Sequence, residues 1–423
     1  MIRFPRYWLH RHRYPERYAQ LETLLRNQAL SREQLLLEQR AAFDDMLAFA
    51  AANVPYYSQS LGAHPEVVPI LEKEAVRERL QDLLARDADT GQVKLGHTGG
   101  STGKPLAFWY DEAKHELMRA GMMRGFMMSG WRPGQKVLNF WGARQDVAAG
   151  GVFGSNWSDL IAAEKTIGAT EFSAATLLAW ARFIQRYRPV LLYGYASVLS
   201  ELARFILAEG LSMPGSLIGV YSTAEVLTEA QREVMQRAYS CKVFNQYGCR
   251  EVPNIAWECR HGNMHVFADL VYLESIRVEA EQQLLVTSLT NRLMPFIRYR
   301  LGDTGRLLNG ECACGSAFPL MEMGLCRQND LIRTRAGNSI HPGFFNHLLD
   351  GQASIRQFQW IQRDLDRIEL NLVASAPLSQ ASQAALSEKI RLKMADQVTL
   401  EVNYVEDIPR TVSGKQRFVI GMD

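Results

Sequence analysis

Residues 97–105 read His-Thr-Gly-Gly-Ser-Thr-Gly-Lys-Pro. Backbone N–H groups freed by glycine, three hydroxyls and one ammonium at this spacing can surround phosphate oxygens. The run is not a P-loop, because Thr98 stands where the first glycine of G-x-x-x-x-G-K-[ST] belongs and Pro105 follows Lys104. A P-loop lysine also opens a helix. Here Leu106-Ala107-Phe108-Trp109-Tyr110 reads as a strand, so a hairpin-like phosphate loop is expected. A plain turn would need one or two glycines without the Thr, Ser, Thr and Lys. A second group combines Cys259, His261 and His265 with Cys312 and Cys314. Cys and His at short spacing, in a chain with six cysteines, read as zinc ligands more readily than as a disulfide scaffold. Buried thiols and surface histidines are the alternative. Three further residues stand out: Glu251, Asp303 after a glycine, and Lys415 on a Gly-flanked segment. Alone, each would be a surface carboxylate, a turn residue and a solvated lysine.

The elements that must carry these residues alternate. Residues 19–53 read as helical. Ser31 and Gln34 form a capping box, and Leu36, Phe43, Met46, Leu47 and Ala50 line a face. A Met-dense helix covers 111–129. Short apolar strands follow at 136–140, 189–194, 217–222 and 242–244. They alternate with helices at 176–186, 197–209 and one opened by Thr228 and Gln231. This pattern predicts a parallel sheet covered on both faces, with the ligand site at the strand C-termini. Tyr193-Gly194-Tyr195, Ser222-Thr223-Ala224-Glu225 and Gln246-Tyr247-Gly248 fall there. After 263 the chain becomes strand-rich, with short, irregular segments at 284–289, 296–300 and 305–308. A small unit follows, with a hairpin over 355–373, a helix over 379–395 and a strand over 398–405.

Four ordered segments resemble the adenylate-forming superfamily of acyl–coenzyme A synthetases, luciferases and peptide-synthetase adenylation domains. They are the Gly-rich loop, Tyr247-Gly248-Cys249-Arg250-Glu251, Tyr299-Arg300-Leu301-Gly302-Asp303 and Pro409-Arg410-Thr411-Val412-Ser413-Gly414-Lys415. Asn53-Val54-Pro55-Tyr56-Tyr57 and Tyr193-Gly194-Tyr195-Ala196-Ser197 resemble its phenylacetate–coenzyme A ligase branch, which includes capsule-linked relatives. The resemblance implies an α/β fold. A large N-terminal domain, 1–326, would have mixed and parallel sheets with flanking helices. A small α+β C-terminal lid, 327–423, would carry Lys415. It implies an ATP-dependent ligase that forms an acyl-adenylate, releases pyrophosphate and passes the acyl group to a thiol, coenzyme A first. An amine, hydroxyl or carrier protein is the alternative acceptor, and a degenerate nucleotide-binding scaffold the alternative class.

The roles carry over by motif. Thr98, Gly99, Ser101, Thr102, Gly103 and Lys104 would take the β- and γ-phosphates, and Glu251 would take Mg²⁺ through oxygen. Tyr247 with Gly248 would stack on adenine, with Thr223, Ala224 and Glu225 bordering it. Asp303 would accept both ribose hydroxyls, and Arg327 would contact ribose or phosphate. Lys415 would reach the α-phosphate when the lid closes. Relatives of this branch carry a structural zinc, which implies Cys259, His261, Cys312 and Cys314 as ligands, with His265 the rival to His261. Arg250 stands where Thr or Ser is usual, and a guanidinium there could serve a phosphate instead. Asn329 stands at the hinge where Asp or Lys is usual. The run Asn139-Phe140-Trp141-Gly142-Ala143-Arg144 departs from the phenylacetate enzymes' pocket, which weakens phenylacetate as the substrate.

Composition sets limits. With 47 basic and 45 acidic residues the net charge is +2, too near balance for bulk nucleic-acid binding. Hydrophobic residues at 47% exclude disorder as the main state. No apolar run suits a transmembrane helix. The Arg-rich N-terminus has no apolar core of a secretory signal, so a cytoplasmic protein is expected. Its partners would be a small carboxylic acid, ATP and the acyl acceptor, with a homodimer left open.

Overall fold

The structure is a computed structural model. It describes residues 5–63, 68–89, 91–98, 106–141, 152–153, 163–169, 173–278, 281–327, 332–335, 339–340, 344–345, 348–349, 352, 354–394, 398–409 and 417–422. Two compact units emerge. One comprises the described residues up to Leu301 with Gly305–Glu322; the other comprises Gly302–Thr304 and the described residues from Met323 onward.

The large sheet has twelve strands. Its middle is parallel, in the order Glu164–Gly168, Val137–Trp141, Leu191–Tyr195, Gly219–Thr223 and Lys242–Tyr247. Ala256–Glu258 and Met264–Val266 extend it antiparallel. On one face Leu138, Phe140, Leu192, Val220 and Val243 pack under helices Ala174–Tyr187, Ala196–Ala208 and Glu229–Tyr239. Side chains alternate along a strand, so the intervening residues turn to helix Glu112–Met127. There the Phe126 ring packs against Tyr193, Tyr221 and Trp257. Local signals start these helices. Ser31 with Gln34 and Thr228 with Gln231 form capping boxes, and the Asp111 and Ser173 side chains accept N–H groups at two other starts.

Two expectations are corrected. The segment 19–53 is two helices, Pro15–Gln28 and Arg32–Asn53, and the second buries Leu35, Phe43, Met46 and Ala50 while Leu36 is exposed. Leu35 continues the four-residue spacing of the buried stripe, and Leu36 is one position off it. The irregular segments after 263 are instead two long strands, Glu281–Ser288 and Tyr299–Leu308.

A separate hairpin pairs Lys94–His97 with Ala107–Tyr110, His97 opposite Ala107. The main sheet of the smaller unit has four strands in the order Thr399–Tyr404, Arg367–Ala374, Ile355–Asp364 and Val419–Ile420. Helix Gln380–Met394 buries Leu386, Ile390 and Met394 in a core with Trp360 and Phe345. The hairpin, helix and strand expected here are all present. No described helix is long and apolar enough to cross a membrane.

Candidate active site

The strands that flank the Gly-rich run pair as far as Thr98 and Leu106. Thr98 N–H donates to the Leu106 carbonyl at 2.8 Å, and Leu106 N–H donates back to Thr98 Oγ1 at 3.0 Å. Thr98 therefore closes the hairpin with its own hydroxyl. Gly99, Ser101, Thr102, Gly103 and Lys104 lie outside the described residues, as do Lys415 and Asn329.

Strand Lys242–Tyr247 ends at Tyr247, which is buried. A Cβ on Gly248 would stand 2.9 Å from the Asn254 backbone nitrogen, so only glycine lets the chain fold back this closely. Cys249 N–H then donates to Val252 O at 3.1 Å and closes the turn. Within it, the Arg250 guanidinium donates to the His97 carbonyl at 2.8 Å. The residue that departs from the usual Thr or Ser thus ties this turn to the hairpin, one residue before Thr98.

Glu251 is buried. Tyr299 Oη donates to its Oε1 at 3.0 Å, and Lys114 Nζ donates to its carbonyl at 2.9 Å. The Lys114 ammonium lies 4.7 Å over the Phe108 ring. Burial pushes it down to about 8, partly offset by the charges of Cys249, Glu251 and Asp111. Neither partner is singled out by sequence reasoning. Tyr299 opens a quoted motif, but nothing in spacing aims it at a residue 48 positions away. Lys114 shows only as a lysine inside the Met-dense helix.

Thr223 ends its strand and bonds Gln246 Oε1 through its hydroxyl. Ala224 takes a left-handed φ of 66°. Glu225 is turned to the start of helix Ala196–Ala208, where its carboxylate accepts Ser197 N–H at 2.7 Å and Ser197 Oγ at 3.0 Å. Asp303 lies on strand Tyr299–Leu308, partly buried, and Arg327 ends strand Leu320–Arg327.

A second site stands on two matched turns. Gly262 N–H donates to Cys259 O and Gly315 N–H to Cys312 O, each at 3.0 Å, with both glycines at positive φ. His261 N–H then points at Cys259 Sγ at 3.3 Å, and Cys314 N–H at Cys312 Sγ at 3.4 Å. Asn263 Nδ2 adds a donor to Cys312 Sγ at 3.2 Å. Burial raises the Cys312 thiol, but these donors outweigh it and lower it overall. The His261 side chain is exposed and outside the cluster. His265, on strand Met264–Val266, is fully buried and faces the thiols, its Nε2 3.4 Å from Cys314 Sγ. The expected ligand set is corrected accordingly: Cys259, His265, Cys312 and Cys314 bring their ligand atoms within 4.8 Å of one another. The turn spends the His261 backbone on sulfur and sends its side chain outward, while the strand pleat turns His265 in. His265 Nδ1 faces the Phe318 carbonyl at 3.4 Å, and burial lowers its pKa. A neutral imidazole held by its far nitrogen is what a metal ligand requires. Cys259 and Cys312 sulfurs stand 3.6 Å apart, close to the roughly 3.8 Å that a tetrahedral zinc with Zn–S near 2.3 Å demands. The donor set fits a closed zinc site.

Residues 332–421 match the CapK C-terminal domain. Protein CapK of Staphylococcus aureus is 22% identical, over 90% of this chain and 88% of its own. The phenylacetate–coenzyme A ligase of Thermus thermophilus is 25% identical, over 93% and 98%. The chain is a homologue of CapK and of the phenylacetate–coenzyme A ligases. Among solved structures, a 2-hydroxyisobutyryl–coenzyme A ligase with an acyl-adenylate bound superposes with a TM-score of 0.72, at 18% identity, over 94% of this chain and 91% of that one. The fold is that of the adenylate-forming ligases.

Proposed function

We propose that this chain is an ATP-dependent acid–thiol ligase. It joins a small carboxylic acid to the α-phosphate of ATP, releases pyrophosphate and passes the acyl group to coenzyme A. The observation that carries this reading is the buried Glu251, with its carboxylate held by Tyr299, its carbonyl by Lys114, and its turn tied through Arg250 to the stem of the Gly-rich loop. Homology to coenzyme A ligases over nine-tenths of the chain supports the reaction class.

A carboxylate is already a nucleophile, so the site needs no strong base. It must hold two anions together and offset charge on the phosphoryl oxygens. Glu251 would hold Mg²⁺, which would supply that neutralisation when bound. Thr98 to Lys104 would cradle the outer phosphates through backbone N–H groups and hydroxyls; the Thr98 oxygen accepts from Leu106 N–H and keeps its own proton to donate. Tyr247 would stack on adenine beside Thr223 and Ala224. Glu225 would act by holding this loop against Ser197 rather than by touching the base. Asp303 would accept the ribose hydroxyls, and Arg327 would contact ribose or phosphate. A C-terminal lid over 327–423 would bring Lys415 to the α-phosphate. Cys259, His265, Cys312 and Cys314 would hold a structural zinc. With four protein ligands the metal has no open position for chemistry. ATP and coenzyme A as substrates fit a cytoplasmic enzyme.

The test is carboxylate-dependent exchange of labelled pyrophosphate into ATP, followed by thioester formation with coenzyme A. Exchange with at least one acid, and its loss in Glu251→Gln, is expected. No exchange across aryl, aliphatic and amino acids would overturn the reading. Exchange without thioester would replace coenzyme A by another acceptor.

A further inference from the structure

Lys114 stands in the first turn of helix Glu112–Met127, a poor place for it. A cation there opposes the helix dipole, and enclosing an ammonium costs hydration. Helix formation and packing alone would favour an acidic or an apolar residue at this position. The contacts of the ammonium supply a reason for the lysine.

Lys114 Nζ donates to the Glu251 carbonyl at 2.9 Å. It lies 4.7 Å over the Phe108 ring and 5.9 Å over the Phe296 ring, both within reach of a cation–π attraction. Phe296 packs edge-on against Tyr299, with ring centroids 5.0 Å apart, and Tyr299 Oη donates to Glu251 Oε1 at 3.0 Å. These contacts form a closed circuit. Lys114 holds the Glu251 backbone, the Glu251 carboxylate meets Tyr299, Tyr299 packs on Phe296, and Phe296 returns to Lys114. Both ends of Glu251 are therefore held. The circuit is anchored on the hairpin. Strand Ala107–Tyr110 carries Phe108 and runs into Asp111, whose side chain accepts Lys114 N–H at 2.7 Å. From the same strand, Trp109 N–H donates to Met294 Sδ at 3.2 Å.

Packing does not by itself fix the turn that carries Glu251. A cavity of about 20 Å³ adjoins it, with Lys114, Met118, Val252, Pro253 and Asn254 in its lining. Room for a single water is also room for the turn to shift. Arg250 ties the turn to the hairpin, and Asn254 Nδ2 ties its exit to the Met118 carbonyl at 2.9 Å. At Glu251 itself the carbonyl is held by Lys114.

We infer that Lys114 is a positioning residue of the adenylation site. It sets the Glu251 backbone so that the carboxylate meets Mg²⁺ with the near-ideal geometry this small cation demands. It also ties that setting to the hairpin that carries the Gly-rich run. This rests on the proposed ligase reading and deepens it, naming a group that acts through Glu251.

Calorimetric titration with ATP in Mg²⁺, and with AMP in its absence, separates this role from a merely structural one. AMP has the adenine and ribose but no outer phosphates to share a metal. Lys114→Met keeps the stem and removes the donor and the charge. It should weaken binding of ATP in Mg²⁺ by about tenfold, the effect of losing a hydrogen bond from a charged donor, and leave AMP binding unchanged. In pyrophosphate exchange the KM for Mg²⁺-bound ATP should rise in step, while the KM for the carboxylic acid should not. Lys114→Gln keeps an N–H donor, so it should show the same split at smaller size, and it carries the test if the methionine variant fails to fold. Equal loss of ATP and AMP binding would make Lys114 a structural residue and overturn the inference alone. Wild-type binding of both in the methionine variant, or in the glutamine variant where only that one folds, would do the same. A wild-type protein that binds neither nucleotide, or exchanges pyrophosphate with no acid, would overturn the ligase reading and this inference with it.

Discussion

The Tyr299 hydroxyl donates to Oε1 of Glu251 at 3.0 Å across 48 residues of chain. It joins the first residue of one motif to the last of another. Tyr299→Phe removes the donor and leaves the ring packed against Phe296. A hydrogen bond to a charged group contributes about 1.5–3 kcal/mol. The Mg²⁺ and ATP concentrations for half-maximal exchange should therefore rise about tenfold or more, with a smaller fall in kcat. An unchanged Mg²⁺ dependence would remove Tyr299 from the support of Glu251.

Protein purified without a histidine tag should contain about one zinc per chain by elemental analysis. Cys312→Ser and His265→Gln should lose it and melt at lower temperature. His261→Ala should keep it, because that side chain is exposed and outside the cluster. Metal affinity should weaken as pH falls and the thiols protonate. Metal loss in the His261 variant with retention in the His265 variant would reverse the ligand choice.

His10 reports on the N-terminal helices. It is buried against Tyr18, with Nδ1 2.9 Å from the Tyr18 hydroxyl. Burial first, then the nearby Arg17 and Arg119, lower its pKa from 6.5 to about 4. The unfolded chain takes up a proton near 6.5, and the folded chain does not until about 4. The stability present above pH 6.5 is thus lost as pH falls through that window, by up to about 3 kcal/mol at roughly 1.4 kcal/mol per unit. Urea midpoints measured across the window should fall less steeply in His10→Gln than in the wild type. Parallel curves would show that His10 titrates normally.

Lys415→Ala should slow adenylate formation on the order of 10²–10⁴-fold, the range for removing a group that offsets charge in a transition state. Thioester formation from a supplied acyl-adenylate should survive, because pyrophosphate has already left and its departure no longer needs charge offset at the α-phosphate. Equal loss of both half-reactions would show that the lysine does not act at the α-phosphate.

Much of this protein is written locally in the chain. Ser31 with Gln34 and Thr228 with Gln231 start helices because each box closes within four residues. The apolar runs at Leu191–Tyr195 and Gly219–Thr223 form parallel strands because only burial on both faces suits them. Lys94–His97 and Ala107–Tyr110 pair as antiparallel strands because the residues flanking the Gly-rich run are strand formers. Nearest-neighbour chemistry suffices for each, so the sequence by itself determined them, together with the four ordered motifs.

What remained for the tertiary structure were choices between residues of equal local merit. His261 and His265 are both histidines near Cys259. The turn that sends one outward and the pleat that buries the other meet Cys312 only when segments some 50 residues apart come together. Glu225 looks like a residue for the nucleotide loop until Ser197, on another helix, takes its carboxylate. Arg250 looks like a residue for a phosphate until the His97 carbonyl lies beside it. Asn139 is an ordinary strand residue until Glu164, itself paired with Arg119, turns its amide and leaves Oδ1 without a partner among the described residues. In each case the deciding partner comes from a distant part of the chain. A hydrogen bond or a ligand set depends on distances of a few ångströms that local spacing does not specify, and only the packed fold supplies them.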